Sequence, residues 1–159
     1  MDIAPKPPIQ KARAVFLHEG KMLIVPSTRR PGYFVLPGGH VEEGEDYAQA
    51  LLRELHEELN VEVQEADIEH LSSYTLKAPR GRGKIITQLY LVYKWQGTLT
   101  PSGDITAMKW ITPHDLKAQR IRHGSGILSH AVPALKKRGL LRINSSLVSI
   151  SRRISSEYF

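Results

Sequence analysis

Glu54, Glu57 and Glu58 stand at positions i, i+3 and i+4 of one short stretch. On a helix that spacing puts three carboxylates on one side of about one turn. Like charges so placed repel by roughly a few tenths of a kcal/mol per pair in water. A hard divalent cation turns the repulsion into coordination, because Mg²⁺ takes carboxylate oxygens. A solvated acidic face is the competing reading of three glutamates alone. Two neighbouring features favour the metal. Pro37-Gly38-Gly39 leads into the segment, and glycines let a ligand approach the backbone and reach its amides and carbonyls. Arg53 lies one helical turn before Glu57 and two turns after Glu45, so it can pair with carboxylates and fix their direction.

The surrounding pattern supplies the elements to hold such a site. Tyr47, Ala48, Leu51, Leu52, Leu55 and Leu59 recur at three- and four-residue spacings, which predicts a helix over 46–59 with one apolar face. Asn60 follows at a position where a left-handed cap is tolerated by Asn. Residues 12–17, 22–25 and 33–36 read as short strands, the first two joined by a hairpin turn, and Pro37 ends the third. Residues 67–77 and 84–97 read as longer strands around Pro79-Arg-Gly-Arg-Gly83, and 108–111 as another short one. Thr112-Pro113 marks a helix start, and 127–137 reads as a last helix interrupted early by Pro133.

Bulk properties narrow the function classes. The 159-residue chain suits one domain, with 41% hydrophobic and 24% charged residues. The absence of cysteine excludes disulfides, thiolate metal sites and a cysteine nucleophile. No apolar run approaches the roughly 18 residues that span a bilayer, so no membrane association and a cytoplasmic location are expected. The net charge of +6 fits a polyanionic small substrate. Nucleic acid is not the expected partner, since the basic residues lack interleaved stacking aromatics.

The segment Gly39-His-Val-Glu-Glu-Gly-Glu45 through Arg53-Glu54-Leu55-His56-Glu57-Glu58-Leu59-Asn60-Val61 resembles the Nudix box, with Asn60 where the family pattern has Gly. Less specifically, 86–97 and Lys109-Trp110-Ile111 look like strands of MutT-type pyrophosphohydrolases. The resemblance implies an α/β fold: an α/β/α sandwich, with a mixed β-sheet between helices and a loop–helix–loop carrying the site. It implies Mg²⁺, with Mn²⁺ as the alternative, held by Glu54, Glu57 and Glu58 and by a carbonyl at the Gly38-Gly39 turn, assigned to Gly39. Glu45 and Arg53 are implied to shape the loop. Asp104 is the candidate acid from a later loop, against the plain alternative of a turn aspartate. Glu57, Glu58 and Asp104 remain equal candidates for the base.

The implied reaction cuts a phosphoanhydride in a nucleoside diphosphate linked to another group. A (deoxy)nucleoside triphosphate giving monophosphate and pyrophosphate is the first reading. ADP-ribose or a nucleotide sugar is the rival, and a non-catalytic nucleotide sensor the reading from another class. No Asn stands near Ser125, where MutT-type enzymes read oxidised guanine, so that specificity is not expected. Arg29, Arg30, Gly38 and His40 are the candidate substrate contacts. Arg80, Arg82 and Lys84 also offer charge to a polyanion, or simply face water. Tyr33, Tyr74 and Trp110 are candidate base-stackers, against core packing. The expected organisation is a lead-in at 1–10, a hydrolase domain at 11–140, and a Ser/Arg-rich tail at 141–159, either a strand pairing with a partner subunit in a homodimer or a mobile tail.

Overall fold

A computed structural model of the protein describes residues 3–141. Almost all of the 141–159 tail, with its reading as a dimer element, lies outside the described residues.

The chain runs through strands β1 (Ile9–Val15), β2 (Leu17–His18), β3 (Lys21–Pro26), β4 (Phe34–Val35) and β5 (Gly38–His40) before helix α1 (Tyr47–Leu59). Strands β6 (Ile68–Lys77), β7 (Lys84–Val92) and β8 (Lys109–Ile111) follow, then α2 (Pro113–Ala118), a π-helical turn at Ile127–Ala131, and α3 (Val132–Lys137). One sheet has the order β5-β1-β7-β6. Its central pair, β1 and β7, is parallel and its outer pairs are antiparallel, so the sheet is mixed. A second sheet joins β2, β3 and β4, with β8 on the free side of β3.

Side-chain alternation along β1 sorts the two faces. Ala12, Ala14 and the adjoining Phe16 are buried with Leu51, Leu55 and Leu59 of α1 and with Trp95. Val15 turns the other way, into a core shared with Leu89, Leu91, Ile127, Ala131 and Leu135. Helices therefore cover both faces, which is the expected α/β/α sandwich. Each fully buried leucine contributes on the order of 1.5–3 kcal/mol. The same alternation directs Lys11 and Arg13 to the face of Val15, beyond the edge of the apolar core.

Several boundaries differ from the sequence reading, each for a local reason. The Gly-rich turn is itself a strand: His40, Gly39 and Gly38 pair with Lys11, Ala12 and Arg13. Gly38 has φ +131°, and a Cβ there would lie 2.1 Å from the Ala12 carbonyl oxygen, so only glycine lets this edge strand dock. Asp46 is the N-cap of α1 rather than its first residue. Its side chain accepts from the Gln49 amide at 2.7 Å while the Gln49 side chain accepts from the Asp46 amide, closing a capping box. Asn60 is left-handed at φ 55°, ψ 39°, as a C-cap should be. The last helix opens as a wider π-helical turn, with Pro133, which has no amide hydrogen to donate, in the first turn of α3.

Asp46→Ala removes one side of the capping box and is expected to lower stability by about 1 kcal/mol in urea unfolding. An unchanged midpoint would show that the box contributes nothing to α1.

Candidate active site

The carboxylates of α1 meet β5 through contacts that depend on glycine. The Glu58 Oε2 atom accepts from the Gly38 amide at 3.2 Å. The Glu54 carboxylate lies flush against Gly39, where an added Cβ would sit 2.6 Å from Oε1. Glu54 is mostly buried, with 17% side-chain exposure, whereas Glu57 is 55% exposed. Burial pushes the Glu58 carboxyl up to about 8, with Glu54 adding to the rise and the Gly38 amide and Arg13 opposing it.

Arg53 organises the loop before the helix. Its Nε and Nη2 form a fork on Glu45 at 2.7 and 3.0 Å, and Nη2 also donates to the His40 carbonyl at 3.0 Å. Its Nη1 reaches Glu54 at 3.1 Å and Glu57 at 3.4 Å. Hydrogen bonding to Arg53 holds the Glu45 carboxyl below its usual range, and Glu45 in turn is the largest cause of the raised Arg53 pKa. Glu45 also accepts from the Glu42 amide at 2.9 Å, closing the loop on itself.

A cavity of about 880 Å³ opens in front of these groups. Glu54, Glu57 and Glu58 line one side, together with Gly38, Gly39 and Asp104. Asp104 comes from the loop that closes over the carbonyl end of α1. There the Thr100 amide donates to Leu59 at 2.9 Å and the Ser102 amide to Glu58 at 2.8 Å, while the Ser102 hydroxyl donates to the Glu57 carbonyl. Arg29, Arg30 and His40 line the cavity as well. Arg30 lies over the Tyr33 ring, 3.8 Å from its centre, and the Ser27 hydroxyl accepts from the amides of both arginines. Arg80 and Arg82 reach the cavity rim, Ser125 lines it, and Lys84 does not. Of the aromatic candidates only Tyr74 lines the cavity; its ring stacks on His130 at 4.0 Å. Trp110 packs against the core beneath α1.

The donor set suits a hard divalent ion, since it consists of carboxylate and carbonyl oxygens alone. The three glutamates do not converge on one point. Among the described residues no group of three or more His, Asp or Glu side chains forms a cation cage, and Arg53 sits between Glu54 and Glu57. The close seat of Glu54 on Gly39 is a cradle that any side chain at 39 would fill.

Lys11 and Arg13 also line the cavity, and sequence reasoning missed both. Arg13 Nη1 donates to the Leu36 and Gly38 carbonyls at 2.9 and 3.0 Å, locking the start of β5 from below. The available signal was the alternation Lys11-Ala12-Arg13-Ala14, two cations at strand period inside a buried strand. Burial and then Arg13 and Arg29 bring Lys11 down to about 8. Burial, followed by Arg29, Lys11 and Arg13, brings His40 down to about 4, so its ring is neutral at pH 7.

Comparison with known proteins bears on this arrangement. The model of the NUDIX domain family matches residues 8–131. The chain is 33% identical over 85 residues to a Nudix hydrolase of Deinococcus radiodurans, a match covering 52% of this chain and 47% of that protein. The chain thus spans about half the length of that relative. The solution structure of the E. coli ORF135 protein superposes with TM-score 0.67 and 26% identity, over 84% of this chain and 94% of that one. The MutT NUDIX hydrolase of Burkholderia pseudomallei shares the fold, with TM-score 0.62 and 23% identity over 82% of this chain and 98% of its own.

The lowered Lys11 pKa has a signed consequence. Between about 8 and 10.5 the unfolded chain holds a proton on Lys11 that the folded chain does not, so stability rises with pH across that window. Below it both states are charged and the folded state carries the full cost. Lys11→Met is therefore expected to melt at a higher temperature at pH 7, with the gap to wild type narrowing as pH rises through the window. A lower melting temperature at pH 7 would contradict the desolvation of this lysine.

Proposed function

The chain belongs to the NUDIX domain family, and from that premise we propose that it is a divalent-metal-dependent pyrophosphohydrolase acting on a nucleoside triphosphate, releasing the monophosphate and pyrophosphate. One observation carries the proposal: two mostly buried carboxylates, Glu54 and Glu58, are held against the backbone of Gly38 and Gly39 at the wall of a cavity that also holds a cluster of cations. Isolated buried carboxylates are costly to keep together. A cation beside them and a polyphosphate beyond it offset that cost.

Glu54, Glu57, Glu58 and the Gly39 carbonyl are the proposed metal-holding groups, with Mg²⁺ or Mn²⁺ as the ion. Bound there, such an ion supplies neutralisation of phosphate charge and acidification of the attacking water. The chain's own residues do the rest. Arg53 orients Glu54 and Glu57 and keeps the loop closed through Glu45. Arg29, His40 and the Gly38–Gly39 backbone line the space for the phosphates. Water attacks phosphorus in line, the anhydride P–O bond breaks, and the proton passes to a carboxylate: Glu57, Glu58 or Asp104. Domain limits of 11–140 accompany the proposal, as does a small-molecule nucleotide partner. Among the described residues no helix is long and apolar enough to cross a membrane.

Glu57→Gln removes one anionic ligand from an exposed position and is expected to cut kcat by about a thousandfold or more with Mg²⁺, roughly 4 kcal/mol of barrier, without changing the circular dichroism spectrum. Full activity in this variant would sink the assignment. A panel of nucleoside triphosphates, ADP-ribose, nucleotide sugars and dinucleoside polyphosphates, with products resolved, tests the substrate. Hydrolysis of none of them, with Mg²⁺ or Mn²⁺, would favour a nucleotide sensor instead.

A further inference from the structure

We propose that Lys11, Arg13 and Arg29 form a subsite for a free terminal phosphate, and that this subsite makes the chain prefer nucleoside triphosphates to nucleoside diphosphates capped by a sugar. The inference rests on the hydrolase reading for its catalytic consequence, but the subsite itself is a statement about anion binding.

Three lines converge on it. The first is placement. Lys11 and Arg13 project from the same face of β1, and both line the cavity with Arg29, which comes from the loop between β3 and β4. That loop is pinned by the Ser27 hydroxyl, so Arg29 is presented from a held backbone. Lys11 and Arg13 lie opposite His40 and Gly38 on the paired strand β5, about 4.8 Å across. The cations therefore begin one strand away from the glycines on which the carboxylates rest. A polyphosphate whose anhydride is held at the carboxylates extends into them.

The second line is charge. The ion pairs of this region belong to Arg53, which takes Glu42, Glu45, Glu54 and Glu57. Among the described residues no carboxylate lies within ion-pair distance of Lys11 or Arg29. Arg13 spends Nη1 on two carbonyls and feels Glu58. Lys11 and Arg29 thus repel one another and Arg13 across the cavity, and this repulsion adds to burial in lowering the Lys11 pKa. A folded chain gains nothing from such a cluster by itself. An anion converts it from a cost into an attraction.

The third line is selectivity. A terminal phosphate carries about −1.5 to −2 charges near pH 7 and offers three acceptor oxygens. The second phosphate of a sugar-capped diphosphate is joined by an anhydride on one side and a sugar ester on the other and keeps one charge, and its sugar needs neutral donors where this wall supplies cations.

The test separates the subsite from the chemistry. Inorganic tripolyphosphate and ADP-ribose are each titrated calorimetrically into the metal-free protein in EDTA, using wild type, Lys11→Met, Lys11→Arg and Arg29→Gln. Tripolyphosphate affinity is expected to fall about tenfold, near 1.4 kcal/mol, in Lys11→Met and Arg29→Gln, and to return to within about threefold of wild type in Lys11→Arg. ADP-ribose affinity is expected to move by less than about threefold in the two Lys11 variants. With Mg²⁺, Lys11→Met is expected to raise KM for a nucleoside triphosphate and to leave kcat/KM for ADP-ribose near wild type. Equal losses for both ligands, or no loss for tripolyphosphate, overturn the proposal. Absence of hydrolysis in wild type overturns the hydrolase reading, and the calorimetry still decides the subsite. Melting curves of the variants exclude unfolding as the cause of any loss.

Discussion

The fork between Arg53 and Glu45 is the constraint on which the site depends. It ties the middle of α1 to a loop that ends just before the helix begins, and so fixes the path of 40–46 relative to the helix axis. The third contact of Arg53, with the His40 carbonyl, carries that path back to β5. A bidentate guanidinium–carboxylate pair has directional preference as well as charge, and lysine could not replace it. With the loop held, Gly38 and Gly39 face Glu58 and Glu54 at contact distance, and the carboxylates need no further support from the loop.

The two walls of the cavity are made by different means. The glutamates of the acidic wall come from one continuous segment, so their spacing is written in helical periodicity, and Asp104 joins them from a later loop. The basic wall is assembled from β1, which pairs with β5, and from the loop after β3. Arg13 belongs to both. Its guanidinium holds two carbonyls of the β4–β5 corner while its charge faces Glu58. A half-buried cation facing a half-buried acid at the seam between the walls makes each wall sensitive to the other.

How much of this could be read from the chain follows the same division. The carboxylate face, the left-handed Asn60 and the pairing of Arg53 with Glu45 all depend on residues close in sequence, and each was legible, whereas Asp46 reads as the first helical residue and is the cap. Lys11 and Arg13 were not. Their alternation with alanines was visible, but which face of β1 points to a cavity is set by α1 packing on Ala12 and Ala14. The strand at Gly38–His40 was equally hidden, because a Gly-Gly pair carries no strand propensity and is recruited by its partner. Tyr74 was visible as an aromatic, yet its stacking on His130 depends on contact with a segment more than fifty residues away in the chain.

The loop at 100–105 closes over three successive carbonyls at the end of α1 while carrying Asp104 to the cavity. It therefore acts as a fastening as well as an arm. Lifting it strips partners from the carbonyls of Glu57, Glu58 and Leu59 at once, in the very turn that presents two of the acids. Gly103 leaves little slack, since a Cβ there would come within 3.1 Å of the Glu57 carbonyl oxygen. Redesign of this loop by lengthening, trimming or grafting thus reaches beyond its own surface. Any change in its length acts as a lever on the last turn of α1, so this chain cannot treat that loop as an interchangeable part.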